Sequence, residues 1–189
     1  MSTWINRHLA ALCLLALTAC DLAGIGGTTR IALFDGALIV AAPNGYCIDT
    51  GATRLTGETA VVLIGRCAAS SSVAAALLTI SVGKPGSAGV LIEGGDRLAT
   101  FFGTASGRAM LSRTGKADDL AIVRVQNSNG AFVMELNDRI LGHYWRGVTG
   151  IGSRLISVSA TGTEGVPLNP DAGRRLLNSS LMALTTANP

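Results

Sequence analysis

Residues 120–136, LAIVRVQNSNGAFVMEL, read as two strands folded about a turn. Both arms are rich in the β-branched, aromatic and other apolar residues that suit a pleated surface. Between them NSNG offers Asn129 and Gly130, which tolerate the positive φ of a tight hairpin. Outward from that hairpin the same logic repeats. HYWRGVT (143–149) and RLISVSA (154–160) form a second hairpin across Gly150–Ser153. Beyond it, Asn169 and Pro170 supply an N-cap and a first-turn residue for a helix running to about Thr186. Leu177, Leu181 and Leu184 form its buried stripe, with Leu176 beside them.

Toward the N-terminus the chain reads as short strands broken by turns. RIALF is stopped by Asp35 and Gly36, and ALIVAA by Pro43, Asn44 and Gly45. YCI follows, then DTGATRLTGET, whose polar composition predicts a loop. AVVLIGRC is a nearly continuous apolar run, predicting a strand covered on both faces. AASSS is a loop and AALLTISV another strand. Asp96 is placed to cap a helix through about Gly103, with Leu98, Phe101 and Phe102 at i, i+3 and i+4. GRAMLSR adds a further helical turn.

The expected fold class is therefore α+β, an antiparallel sheet of short strands packed by a mid-chain helix and a C-terminal helix. In outline this order resembles the PsbP-like sandwich, a fold shared with a Ran-binding nuclear transport adaptor. The residues that carry the resemblance are the strand leading into a Pro-Gly-aromatic turn, LIVAAPNGY, and the late strand RLISVSA before the final helix. The resemblance covers about Ile31 to Thr186. It implies architecture and a binding or assembly role, with no catalytic residue to carry over.

The N-terminus has a different character. Arg7 and His8 precede an uncharged stretch, Leu9–Ala19, that is too short for the ~20 apolar residues a spanning helix needs. A basic start and a short apolar centre describe a secretory signal. Its end, Leu17-Thr18-Ala19-Cys20, resembles the lipobox of bacterial lipoproteins. The resemblance implies cleavage after Ala19 and diacylglycerol on Cys20, with further acylation of the new amino group. Two or more chains hold a protein firmly on a membrane. Asp21 resembles an inner-membrane retention signal, which favours the periplasmic face of the inner membrane over the outer membrane. The expected division is a signal peptide over 1–19, a lipidated and flexible tether over 20–29 with a span of roughly 15 to 18 Å, and one periplasmic domain over 30–189.

Cys13 leaves with the signal and Cys20 takes lipid, so Cys47 and Cys67 remain as an even pair in an oxidising compartment. Their pairing closes a loop of about 20 residues and stabilises by about 3 kcal/mol on the chain-entropy estimate. The alternative is two buried thiols.

Composition excludes more than it selects. Net charge is +3, with 4% aromatic residues. That suits neither the basic face nor the stacking platforms of a nucleic-acid partner. No zinc set exists, because the mature chain has one histidine, His143, and two cysteines expected to bind each other. Asp118 and Asp119 are adjacent and read as a solvated turn. No serine lies in Gly-x-Ser-x-Gly, and VGKPG lacks the Ser or Thr of a phosphate loop. Arg108, Arg113 and Lys116 form either a solvated rim or a patch for anionic headgroups, at about 1 kcal/mol each.

His143, Tyr144, Trp145 and Arg146 combine residue types enriched at interface hot spots, against the alternative that Trp145 is a core residue. The leading expectation is a non-catalytic envelope lipoprotein, without cofactor or metal, binding an envelope protein or aiding an assembly. A periplasmic small-ligand-binding module is the alternative, and a hydrolase using His143 the last. A concave apolar pocket with convergent polar groups favours the ligand. A flat patch centred on Trp145 favours the protein partner.

Overall fold

A computed structural model of the chain describes residues 27–68, 72–92, 94–128 and 130–189. The expected signal peptide, Cys20, Asp21 and most of the expected tether lie outside the described residues, as do 69–71 of the AASSS loop and Asn129. The last tether residues are described, and they are held. Thr28 O accepts from Ile48 N at 2.7 Å, and Thr29 O accepts from Ala42 N at 2.9 Å. Residues 28 and 29 of the expected tether are therefore hydrogen-bonded to the body of the chain.

The hairpin that decides the fold is β6 (Leu120–Ser128) and β7 (Ala131–Asp138), closed where Ser128 pairs with Ala131 and Gly130 takes a φ of 76°. β8 (Gly142–Ile151) and β9 (Arg154–Gly162) form the second hairpin. Its turn is tighter than expected, because Ile151 pairs with Arg154. Ahead of these come β3 (Tyr46–Thr56), β4 (Thr59–Arg66) and β5 (Ala76–Val82). These form one antiparallel sheet of seven strands in the order β3-β4-β5-β9-β8-β7-β6. The decisive junction is β5 with β9, which joins the two halves of the chain. A separate pair, β1 (Arg30–Leu33) and β2 (Leu38–Ala41), sits beside the sheet.

Two sequence expectations are corrected here. DTGATRLTGET is mostly strand β3, not a loop, and pairs with β4 as far as Thr56 and Thr59. Its irregularity lies between Asp49 and Arg54, where the Asp49 carboxylate accepts from Ala52 N and Thr53 Oγ1 donates to Asp49 O. β3 is an edge strand facing water, so it needs few apolar residues. AVVLIGRC, expected to be covered on both faces, is covered on one. Ala60, Val62 and Ile64 are buried, whereas Val61 is 39% exposed.

Helix α1 (Gly95–Gly103) is preceded by Gly94 as N-cap, so Asp96 is a first-turn residue with no capping bond. There it favours the positive end of the helix dipole. Helix α2 (Ala105–Leu111) is capped by the Thr104 hydroxyl, which accepts from Gly107 N. Helix α3 (Pro170–Ala187) starts as expected: the Asn169 side chain accepts from Asp171 N and Ala172 N. The α+β expectation is met.

Each face of the sheet carries its own apolar cluster. α3 and β1–β2 cover one face, burying Leu177 and Leu184 against Ile80, Ile156, Val158 and Trp145. α3 approaches closely because β8 presents Gly147, where a Cβ would stand 2.9 Å from Leu181 Cδ1. On the other face α1 and α2 cover only the β6–β8 half, packing Leu98, Phe102 and Leu111 onto Met134, Leu136 and Tyr144. Among the described residues no α-helix lies over the β5–β9 half of that face. The 3-10 turn Ser87–Leu91 does pack on β8 and β9, with Ala88 and Leu91 beside Gly150 and the Ser87 hydroxyl accepting from Leu155 N.

Candidate functional site: a groove on the half-covered sheet face

Side chains alternate along a strand, and on β5 and β9 the alternation separates apolar from hydroxyl residues. Leu78 and Ile80, with Ile156 and Val158, point into the α3 core. Thr79 and Ser81, with Ser157, Ser159 and Thr161, occupy the opposite face. The register places Thr79 opposite Ser159 and Ser81 opposite Ser157. Two neighbouring strands thus carry a ladder of small hydroxyls.

This ladder floors a recess of about 1160 Å³ walled by α2, Ile140–Gly142 and the 163–167 loop. A second recess of about 500 Å³ opens between α1, α2 and the sheet, lined by Leu98, Phe101, Phe102, Val148 and Leu155. Met110, Leu111, Arg146 and Ser157 line both, so the two are ends of one groove.

Arg146 stands at the seam. Its Nε donates to Ser159 Oγ at 2.9 Å and a terminal N–H reaches Leu111 O at 3.4 Å. The guanidinium also lies 5.5 Å from the Tyr144 ring centroid. Tyr144 is buried on the groove floor, and its Oη has no hydrogen-bond partner among the described residues. Burial raises the Tyr144 pKa, with Arg146 opposing and Asp138 reinforcing the rise. Arg113 and Glu164 are the other charged residues of the polar recess, and Arg97 lies at the apolar one.

The four residues expected to form an interaction patch divide between the two faces. Tyr144 and Arg146 face the groove. Trp145 is 3% exposed in the α3 core, and its Nε1–H donates to Pro170 O at 2.8 Å. A flat patch centred on Trp145 does not exist, because alternation along β8 turns the ring inward. His143 packs edge-on to Trp145, and its Nε2 lies 2.8 Å from Glu135 Oε1. Arg124 Nε is 3.4 Å from the other Glu135 oxygen. The hydroxyls of β9 stand on the opposite face from this pair, so none reaches His143 as a nucleophile.

The disulfide expectation is met: Cys47 and Cys67 are bonded, with Cα atoms 4.8 Å apart. The bond staples the end of the β3–β4 hairpin. Asp119 corrects the reading of Asp118 and Asp119 as a solvated turn. It accepts from the Thr114 hydroxyl and pairs with Arg139 at 2.7 Å, and its side chain is only 10% exposed. The Thr114 bond first, then Arg139, hold its carboxyl below the usual range. The basic trio disperses: Arg108 donates to Gly103 O, Arg113 lines the groove, and Lys116 acts electrostatically on Asp119. Among the described residues no group of three His, Cys, Asp or Glu side chains gathers around a metal-sized site. No described helix is long and apolar enough to cross a membrane.

Sequence reading missed the hydroxyl ladder. Its signal was present as a small hydroxyl at every second position of LLTISV and LISVSAT, but the adjacency of those strands was not.

No family model and no curated protein matches this chain. Among solved structures, a point mutant of the protein Mog1 is similar at 9% identity, covering 86% of this chain and 95% of that chain, with a TM-score of 0.44. The solution structure of cyanobacterial PsbP (CyanoP) from Synechocystis is similar at 16% identity, covering 89% and 97%, also with a TM-score of 0.44.

Proposed function

We propose that this chain is a non-catalytic binding module of a bacterial envelope, anchored by lipid on Cys20 at the periplasmic face of a membrane. We further propose that it takes a small ligand in the groove of the half-covered sheet face. The observation that supports this reading is the groove itself, where a concave apolar recess adjoins convergent hydroxyls and a guanidinium. Those are the features of small-molecule sites. The first two expectations drawn from the sequence thereby change places. The flat patch that would have favoured a protein partner was to centre on Trp145, which lies in the core. The hydrolase reading leaned on His143, which pairs with Glu135 away from the hydroxyls.

Native mass spectrometry of the full chain recovered from envelopes tests the proposal. The expected result is a small molecule carried by the native chain and lost in Ser157→Phe, which fills the wall shared by both recesses. A ligand-free chain that instead captures one envelope protein in fixed proportion, equally in both variants, overturns it.

A further inference from the structure

The two ends of the groove differ in chemistry along registered rows of the sheet. From β5 through β9 and β8 to β7, one row reads Thr79, Ser159, Arg146, Met134. The next reads Ser81, Ser157, Val148, Phe132. Hydroxyls occupy the open half, and apolar side chains the half beneath α1 and α2. The apolar recess, at about 500 Å³, is within the roughly 300–1,000 Å³ range of ligand sites. Its mouth is edged by exposed Val90, Phe101 and Met110.

Resting on the ligand-binding reading above, we infer that the ligand is a single-chain anionic amphiphile. Its alkyl chain lies between Leu98, Phe102, Val148 and Leu155, and its acidic head meets Arg146 beside Ser157 and Ser159. Charge selects the head. Arg113 and Arg146 face the polar recess against one carboxylate among the described residues, Glu164. Arg146 has five N–H donors, of which the protein engages Nε and one terminal N–H. A guanidinium's remaining donors can fork onto a carboxylate or phosphate. Apolar walls select the tail. A peptide backbone entering the recess would leave N–H and C=O groups unpaired there, and an alkyl chain has none to satisfy.

The test uses the full chain in phosphatidylcholine vesicles and a laurate bearing a diazirine on its terminal carbon. After irradiation, adducts are mapped by peptide mass spectrometry. Saturable adducts are expected on α1 or Leu155, displaced by unlabelled laurate and about tenfold less well by laurylamine. Arg146→Gln should lower laurate labelling about tenfold while sparing the matching diazirine alcohol, and Arg146→Lys should retain most of it. Equal competition by the amine, adducts outside the recess, or unchanged laurate labelling in Arg146→Gln overturns the inference. Should Arg146→Gln lose both labels, Arg146→Lys decides: retained laurate labelling supports the assignment and its loss overturns it. If these arms fail while the native chain still carries a ligand that Ser157→Phe loses, the amphiphile is wrong and the binding reading stands.

Discussion

Asp119 shows how much one side chain settles where the chain enters β6. It sits where the 3-10 turn Ala117–Asp119 enters β6, and its carboxylate ties Thr114 to Arg139, while its backbone oxygen accepts from Arg139 N. Because those partners lower its pKa in the folded chain, its stabilisation is present above the unfolded value and is lost as pH falls through the folded one. Asp119→Asn should therefore flatten the acid limb of a stability-against-pH curve and lower stability at neutral pH. Chemical denaturation across pH 2 to 7 measures both, and an acid limb identical to the parent chain excludes the linkage. This role was not legible in the sequence, where Asp118 and Asp119 are equivalent neighbours. Only the β7–β8 turn, which brings Arg139 back, distinguishes them. Trp145 and Arg146 differ for a comparable reason, since register alone decides that one enters the core and the other the groove.

Elements with strong local signals were legible. The β6–β7 turn residues, the Asn169-Pro170 helix start and the leucine stripe of α3 each follow from neighbours in sequence. β3 was not, because an exposed edge strand carries the composition of a loop. The end of α3 holds another long-range device. Asn188 stands as its C-cap and bonds the backbone of Ile39 in both directions at 2.8 Å, pinning β2 as a neighbouring strand would. Asn188→Ala should cost about 1 to 3 kcal/mol by leaving those backbone groups unpaired, read as a lowered denaturant midpoint with an unchanged m-value. At the other end, the Cys47–Cys67 bond staples the β3–β4 hairpin. Replacing both cysteines by serine should cost about 2 to 5 kcal/mol. Equilibrium unfolding under non-reducing conditions measures the difference.

At the scale of the whole molecule, fold class followed from element order, but sheet order did not. Joining β5 to β9 brings together residues some eighty positions apart, such as Leu78 and Ala160, and no local pattern announces that pairing. The groove depends on it, since the first residue of each row, Thr79 or Ser81, comes from the β5 side of the junction and the other three from the β9 side. The groove's exposed edges, Met110 and Phe101, belong to the face without α3. The first backbone bond of the described chain involves Thr28, so seven residues separate Cys20 from it. On the proposal above, a lipid on Cys20 would hold the domain at the bilayer. Cys20→Ser should abolish that tethering, because the thiol is the acylation site, and leave a precursor with its signal attached or a mis-cleaved chain. Mass spectrometry of the mature N-terminus reads the result. A diacylglycerol-modified Cys20 in the parent chain and its loss in the variant are expected, and an unmodified Cys20 in the parent chain removes the anchor from the proposal while leaving the groove intact.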